Sequence, residues 1–173
     1  MNDRRARFEA QALPHLDAAY NLARWLSRSP TDADDIVQEA MLRAFRAFDG
    51  VRGDTVRPWL LAIVRNCFHD HAGRAARLQP LDDHGVERMR DEAPDPEDQA
   101  AWSSERRRLD LMLARLPDDY REALILREME DMSYRQIAEA TGAPIGTVMS
   151  RLARARALLK DQMRAQEDGD ELR

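Results

Sequence analysis

At 173 residues and 19.9 kDa, the chain has room for one ordinary domain or two very small ones, which excludes a large multidomain enzyme. Hydrophobic residues at 43%, charged residues at 34% and a mean hydropathy of −0.66 fit a globular chain, and aromatics at only 6% argue against a strand-built sandwich or barrel. The net charge of −5 argues against nucleic acid only as an average, because the charge is segregated along the chain. No apolar run approaches a bilayer span, and the N-terminus MNDRRARFEAQ has no apolar stretch behind it, so a cytoplasmic location without membrane insertion is expected. The lone cysteine, Cys67, suits a reducing compartment.

In chain order, Leu13, Leu16, Tyr20 and Ala23 recur at helical spacing, and Pro14 is placed to open a helix ending near Leu26. A second helix is predicted over 31–48, with Thr31 as N-cap, Asp34 in capping-box position, and Val37, Ala40, Met41, Ala44, Phe45 and Phe48 as its core stripe. GVRGDTVRP reads as a loop, and Pro58 starts a third helix that turns Trp59, Leu60, Ile63, Val64 and Cys67 inward. Residues 79–98 hold three prolines and eight acids against two arginines, a local charge of −6 with no sustained period, and read as a flexible linker. Beyond it, Leu109, Met112, Leu113 and Leu116 precede a helix opened by Pro117, with Tyr120, Ala123, Leu124 and Arg127 in register. A short helix over 134–140 and a longer one from Ile145 to about Met163 complete the fold, followed by a solvated tail. The expectation is an all-α chain with a helical domain over 1–78, an acidic linker over 79–104, a helix-turn-helix domain over 105–165 and a tail over 166–173.

The sharpest local signal is SYRQIAEATGAPIGTVMSRLARAR. A helix-turn-helix needs a small residue at the helix crossing, a glycine in the turn and a β-branched residue early in the second helix, and Ala138, Gly142 and Val148 meet those demands. At 100° per residue Val148, Leu152, Ala155 and Leu159 share one face, with Ser150, Ala153, Arg154 and Ala157 opposite. Over 145–164 five bases face one acid, and small residues beside Ser150 and Arg154 would let the backbone enter a major groove, with Arg151, Arg156 and Lys160 on phosphates. The alternative is a helical hairpin with a solvated basic face. In DADDIVQEAMLRAF, Asp35, Gln38, Glu39, Leu42 and Arg43 lie off the apolar stripe, a pattern that by itself is an ordinary solvated ridge. RGDTVRPWLLAIVRNCFHDH sets a polar loop before a helix bearing Arg65, Asn66 and Asp70, either a holder for an unstacked base or a turn before a core helix.

Taken together, DADDIVQEAMLRAF, WLLAIVRN and LPDDYREALILREMEDMSYRQIAEATGAPIGTVMSRLARAR resemble, in order, the bacterial RNA polymerase sigma factors of the extracytoplasmic-function (ECF) group, over about 13–160. The resemblance implies a first unit that binds core RNA polymerase and captures the −10 promoter element, and a second that reads the −35 element. It implies that Asp35, Ile36, Val37, Gln38 and Glu39 dock on the clamp coiled coil of the largest polymerase subunit. It implies that Arg52, Gly53, Asp54 and Thr55 pocket a flipped base, with Arg65 and Asn66 in support, and that Met149, Ser150, Arg151 and Arg154 face −35 DNA. An anti-sigma factor is a further implied partner. Many relatives carry Lys or Arg where this chain has Met149, and a dense arginine cluster where it has AGRAAR.

No catalytic site, cofactor or metal is expected. Cys67, His69 and His71 sit at i and i+2, which on a helix point about 200° apart and cannot converge on one ion. The rival readings are a stand-alone helix-turn-helix regulator, which would carry a dimerisation helix or ligand domain, and a sigma-mimicking interaction protein, which would lose the basic recognition face.

Overall fold

A computed structural model of the protein describes residues 2–51, 53–78 and 104–170. The expectations for Arg52 and for the acidic linker at 79–103 lie outside the described residues. The chain divides into two compact units, Met1–Gln99 and Ala100–Arg173, and every regular element among the described residues is helical.

The first unit holds α1 (Asn2–Ala12), α2 (Leu16–Ser27), α3 (Pro30–Ala47) and α4 (Val56–Leu78). α1 was not foreseen. It buries only Phe8 and Ala12, but Phe8 packs its ring edge-on against Phe45 and Phe48, with centroids 5.2 and 5.3 Å away. Arg4 Nη2 then donates to the carbonyls of Phe45 and Arg46 at 2.8 and 2.9 Å, so α1 caps the C-terminal end of α3.

Two local expectations need correction. Leu13 and Leu16 are 46% and 39% exposed, because Pro14 lies in a single 3-10 turn, Leu13–His15, and α2 starts only at Leu16 with Ala19, Leu22, Ala23 and Leu26 inward. The N-cap of α3 is Ser29, not Thr31. Pro30 lacks an N–H and has its φ preset, so it fits the first helical position, and the extended Ser29 before it accepts from the Asp32 N–H at 3.2 Å through Oγ.

α3 is the beam of this unit. Ala33, Ile36, Val37, Ala40 and Ala44 are buried against α2 and α4, and three of the five are alanines, which let the helix axes approach closely. α4 begins at Val56, two residues before Pro58, and contributes Val56, Leu60, Leu61, Val64 and Cys67 to the same core, with Trp59 only half-buried against Phe48.

The second unit holds α5 (Ser104–Ala114), α6 (Asp118–Leu124), α7 (Tyr134–Thr141) and α8 (Ile145–Asp170). α6 runs into one wide π-helical turn, Ile125–Met129, closed by the Glu130 N–H on the Ile125 carbonyl at 3.2 Å. Leu124, Ile125 and Leu126 are buried there beside Leu113, Met132 and Ile137. Ser133 and Gln136 form a reciprocal capping box that starts α7. α8 passes Met163 and continues to Asp170, into the segment expected to be tail.

The reassigned cap yields a direct check. Ser29→Ala is expected to cost about 1 kcal/mol of first-unit stability, whereas Thr31→Ala stays within about 0.5 kcal/mol, as read from urea unfolding midpoints.

Candidate protein and nucleic-acid interfaces

Because its buried stripe is narrow, α3 carries a polar crest on its far side. Asp35 and Gln38 are exposed and Glu39 is partly exposed at the crest, with Leu42 beside them at 54% exposure. Ile36 and Val37, expected on the docking surface, are 1% and 8% exposed. That corrects the expectation for them: spacing puts both on the core side, where Ile36 is wholly enclosed. Val37 reaches only the floor of an apolar groove along one flank, lined also by Phe8, Leu16, Met41, Leu42 and Phe45, with Asp34 and Gln38 at its polar edge.

The other flank of the crest is tied to α4. Arg43 donates from Nε to Glu39 at 2.7 Å and from Nη1 to Asp70 at 2.6 Å. The Arg43 guanidinium holds the Asp70 carboxyl below the usual carboxylate range. Further along, His71 Nε2 lies 3.1 Å from Asp32 Oδ1. Cys67 is buried in the core, where burial pushes its thiol up, and His69 stacks edgewise on Phe68.

In the loop before α4, Gly53 has φ +60°, a left-handed conformation that a side chain would strain, and Gly53, Asp54 and Thr55 are all exposed. Arg65 and Asn66 form a second polar group, with Arg65 Nη1 on Asn66 Oδ1 at 3.3 Å. The structure does not bring the two groups together. Asn66 stands ten residues into α4, about 15 Å along the axis at 1.5 Å per residue, too far for both groups to hold one base.

In the second unit α7 and α8 form a helix-turn-helix. Gly142, at φ +70°, makes the left-handed turn, and Val148, Leu152 and Ala155 are 1%, 0% and 0% exposed. The opposite face, Ser150, Ala153, Arg154 and Ala157, is exposed, and Met149 beside it is 53% exposed. α6 steadies two of the arginines: Asp119 pairs with Arg151 at 2.6 Å, and the Tyr120 hydroxyl accepts from Arg154 at 3.3 Å. Arg156 departs from expectation. It lies about 200° round the helix from Arg154, paired with Glu128 of the wide turn at 2.7 Å, and with Lys160 it borders an apolar groove lined by Leu109, Leu113, Ile125, Leu159 and Met163.

Sequence reasoning placed Asp70 and Tyr120 in other roles and passed over Asp119 and Glu128; no local signal points to their pairings, since each is 27 to 34 residues from the arginine that it holds. No helix among the described residues is long and apolar enough to cross a membrane.

Comparison with known proteins matches residues 13–78 to the family model for sigma-70 region 2 and residues 106–159 to that for sigma-70 region 4. The chain is 34% identical over 151 residues to the ECF RNA polymerase sigma factor SigE of Mycolicibacterium smegmatis, covering 86% of this chain and 58% of that protein. It is 32% identical to the ECF RNA polymerase sigma-E factor of Haemophilus influenzae, covering 82% and 79%. It is 38% identical to the ECF RNA polymerase sigma factor SigC of Mycobacterium tuberculosis, covering 75% and 69%. Among solved structures, it is similar to the sigma factor RpoE of Bartonella quintana in complex with the anti-sigma factor NepR, with TM-score 0.72, 26% identity and coverage of 91% and 97%. It is also similar to CnrH in complex with the cytosolic domain of CnrY, with TM-score 0.66, 27% identity and coverage of 93% and 90%.

The turn of the helix-turn-helix offers a clean test of its geometry. A Cβ at position 142 would meet nothing within 4 Å, so Gly142→Ala carries only the left-handed backbone penalty of about 1 to 2 kcal/mol. Gly142→Asn is expected to recover part of that loss in the same urea titration, since asparagine tolerates this conformation better than alanine.

Proposed function

The chain belongs to the sigma-70 family, in its extracytoplasmic-function group, and on that premise we propose a division of labour among its surfaces. The protein binds core RNA polymerase, directs it to specific promoters and promotes melting for transcription initiation. Its 1–78 domain docks on core and captures the −10 element, and its 105–165 domain reads the −35 element, with the acidic segment at 79–104 as the tether between them.

Docking falls to Asp35, Gln38 and Glu39 on the crest of α3, against a basic partner surface, with Val37 at the floor of the adjoining groove and Ile36 supporting the crest from the core. The observation that carries this reading is that α3 spends its apolar stripe on the core and still presents two carboxylates outward, in the segment matched to region 2. Acidic side chains at a rim steer a basic surface into register.

On the promoter, the Arg52 to Thr55 loop takes one unstacked base, Gly53 giving the backbone its reversal and Asp54 and Thr55 supplying acceptors and a hydroxyl. Arg65 and Asn66 contact the strand further along. Capture of a base that has left the stack biases fraying toward the open state, with no covalent step, and the protein is read as a non-catalytic factor acting in the cytoplasm.

In the −35 reader, Ser150 and Arg154 face base edges, with Ala153 and Ala157 leaving room for the groove wall and Met149 giving an apolar contact in place of a cation. Arg151 on one side and Lys160 on the other reach phosphates. Arg156, paired with Glu128 as Arg151 is with Asp119, lies about 200° round α8 from Arg154, and that position makes it the weakest member of the set. An anti-sigma factor is the proposed regulatory partner, as in the complexes of the two similar structures. The stand-alone regulator is disfavoured because a region 2 unit precedes the helix-turn-helix.

The docking assignment is tested by charge reversal. Asp35→Arg with Glu39→Arg leaves the buried stripe intact and is expected to abolish co-purification with core polymerase while unfolding cooperatively near the wild-type temperature. Core recovered at wild-type yield by a folded double variant overturns the assignment.

A further inference from the structure

Among the described charged side chains of the first unit, Arg43 has hydrogen bonds that reach two differently assigned parts. It lies on the flank of α3, and its guanidinium is shared between Glu39, one turn back on the same helix, and Asp70 on α4, one turn beyond Asn66. The three side chains are 36%, 38% and 53% exposed, which is open enough for a partner to reach them and enclosed enough to hold one geometry.

We propose that Arg43 is a positioning residue that couples polymerase docking to the promoter-reading helix: Asp70 fixes the guanidinium and the guanidinium fixes the Glu39 carboxylate for docking. The proposal rests on the docking role assigned to Glu39 above. A glutamate on an exposed crest otherwise samples many rotamers, and ordering it on binding costs affinity. Arginine suits the task because its planar fork presents two separate N–H directions, here Nε to one carboxylate and Nη1 to the other, whereas a lysine ammonium on a flexible stem is not held in one orientation.

The coupling runs both ways by linkage. A basic partner group that takes the second oxygen of Glu39 leaves the Arg43 Nε bond to Oε1 in place, so docking favours the same arrangement that ties Arg43 to Asp70 and to the stretch of α4 that carries Arg65 and Asn66. Core binding thereby firms the helix assigned to the promoter strand.

The test is a double-mutant cycle on the full chain, titrating fluorescently labelled protein with core polymerase. Asp70→Asn is expected to weaken core binding about threefold, the scale of one exposed ion pair, although Asp70 itself is off the crest. In an Arg43→Gln background the same change should have no further effect. Arg43→Lys, which keeps the cation without the fork, recovers part of the loss of Arg43→Gln. Thermal unfolding of each variant, expected near wild type for such exposed pairs, separates positioning from loss of fold. If Glu39→Gln weakens core binding and Asp70→Asn does not, or if Asp70→Asn weakens it equally with Arg43 absent, the positioning role is overturned and the docking role stands. If Glu39→Gln leaves core affinity at wild type, the docking role itself fails and takes the proposal with it.

Discussion

The first unit depends on the burial of one narrow stripe of α3. Ala33, Ala40 and Ala44 are fully enclosed, with Ile36 and Val37 between them, and α2 and α4 pack against this seam. Small side chains at helix contacts allow short interaxial distances, so a modest stripe suffices to anchor an 18-residue helix. The rest of its circumference is left to other uses: a polar crest at Asp35 and Glu39, an apolar groove on one flank, and the contacts of Asp32 with His71 and of Arg43 with Asp70 on α4 on the other. A wider stripe of leucines would consume those flanks.

The second unit repeats the economy with a different device. Val148, Leu152 and Ala155 fix α8 to its unit, and Gly142 sets the angle at which it follows α7. Apart from Met149, the outward face is then small, hydroxylic or cationic. The arginines do not wave freely. Asp119 and Tyr120 hold Arg151 and Arg154 at hydrogen-bond distance, which would reduce the conformational freedom lost in the proposed DNA contact, and the wide turn at Ile125–Met129 places Glu128 under Arg156. In each unit, therefore, a few buried residues settle where the charged ones stand.

This organisation was legible in the sequence wherever it rests on period. The all-α class, the stripe of α8, the Val37, Ala40 and Ala44 part of the α3 stripe, the glycine turn and the order of the three motifs were readable, whereas Met41 and Phe45 line the groove and Ala33 and Ile36 take core places that were not assigned to them. Where two local rules competed, spacing alone misled. Thr31 looked like a cap because Asp34 follows it, but Pro30 fits only the first helical position and moves the cap to Ser29. Leu13 and Leu16 matched a helical period that the turn at Pro14 breaks. α1 escaped notice because its anchorage is a ring against two other rings and a guanidinium on carbonyls more than forty residues away. The ties of Arg43 to Asp70, Arg151 to Asp119 and Arg156 to Glu128 are likewise non-local, at 27, 32 and 28 residues. The distance between Thr55 and Asn66 was readable from the helix rise alone, once α4 was known to run unbroken between them.

Membership of the ECF group and the two surfaces together make one central claim: the chain gives core polymerase its choice of promoter, through a docking crest on one unit and a groove-reading helix on the other. Run-off transcription with purified core polymerase on a pool of genomic promoter fragments, with and without the full chain, measures that choice directly. The account predicts that adding the chain produces transcripts from a limited set of fragments sharing a −35 and a −10 element. A transcript profile identical in its presence and absence, with core active on a control template, would contradict it.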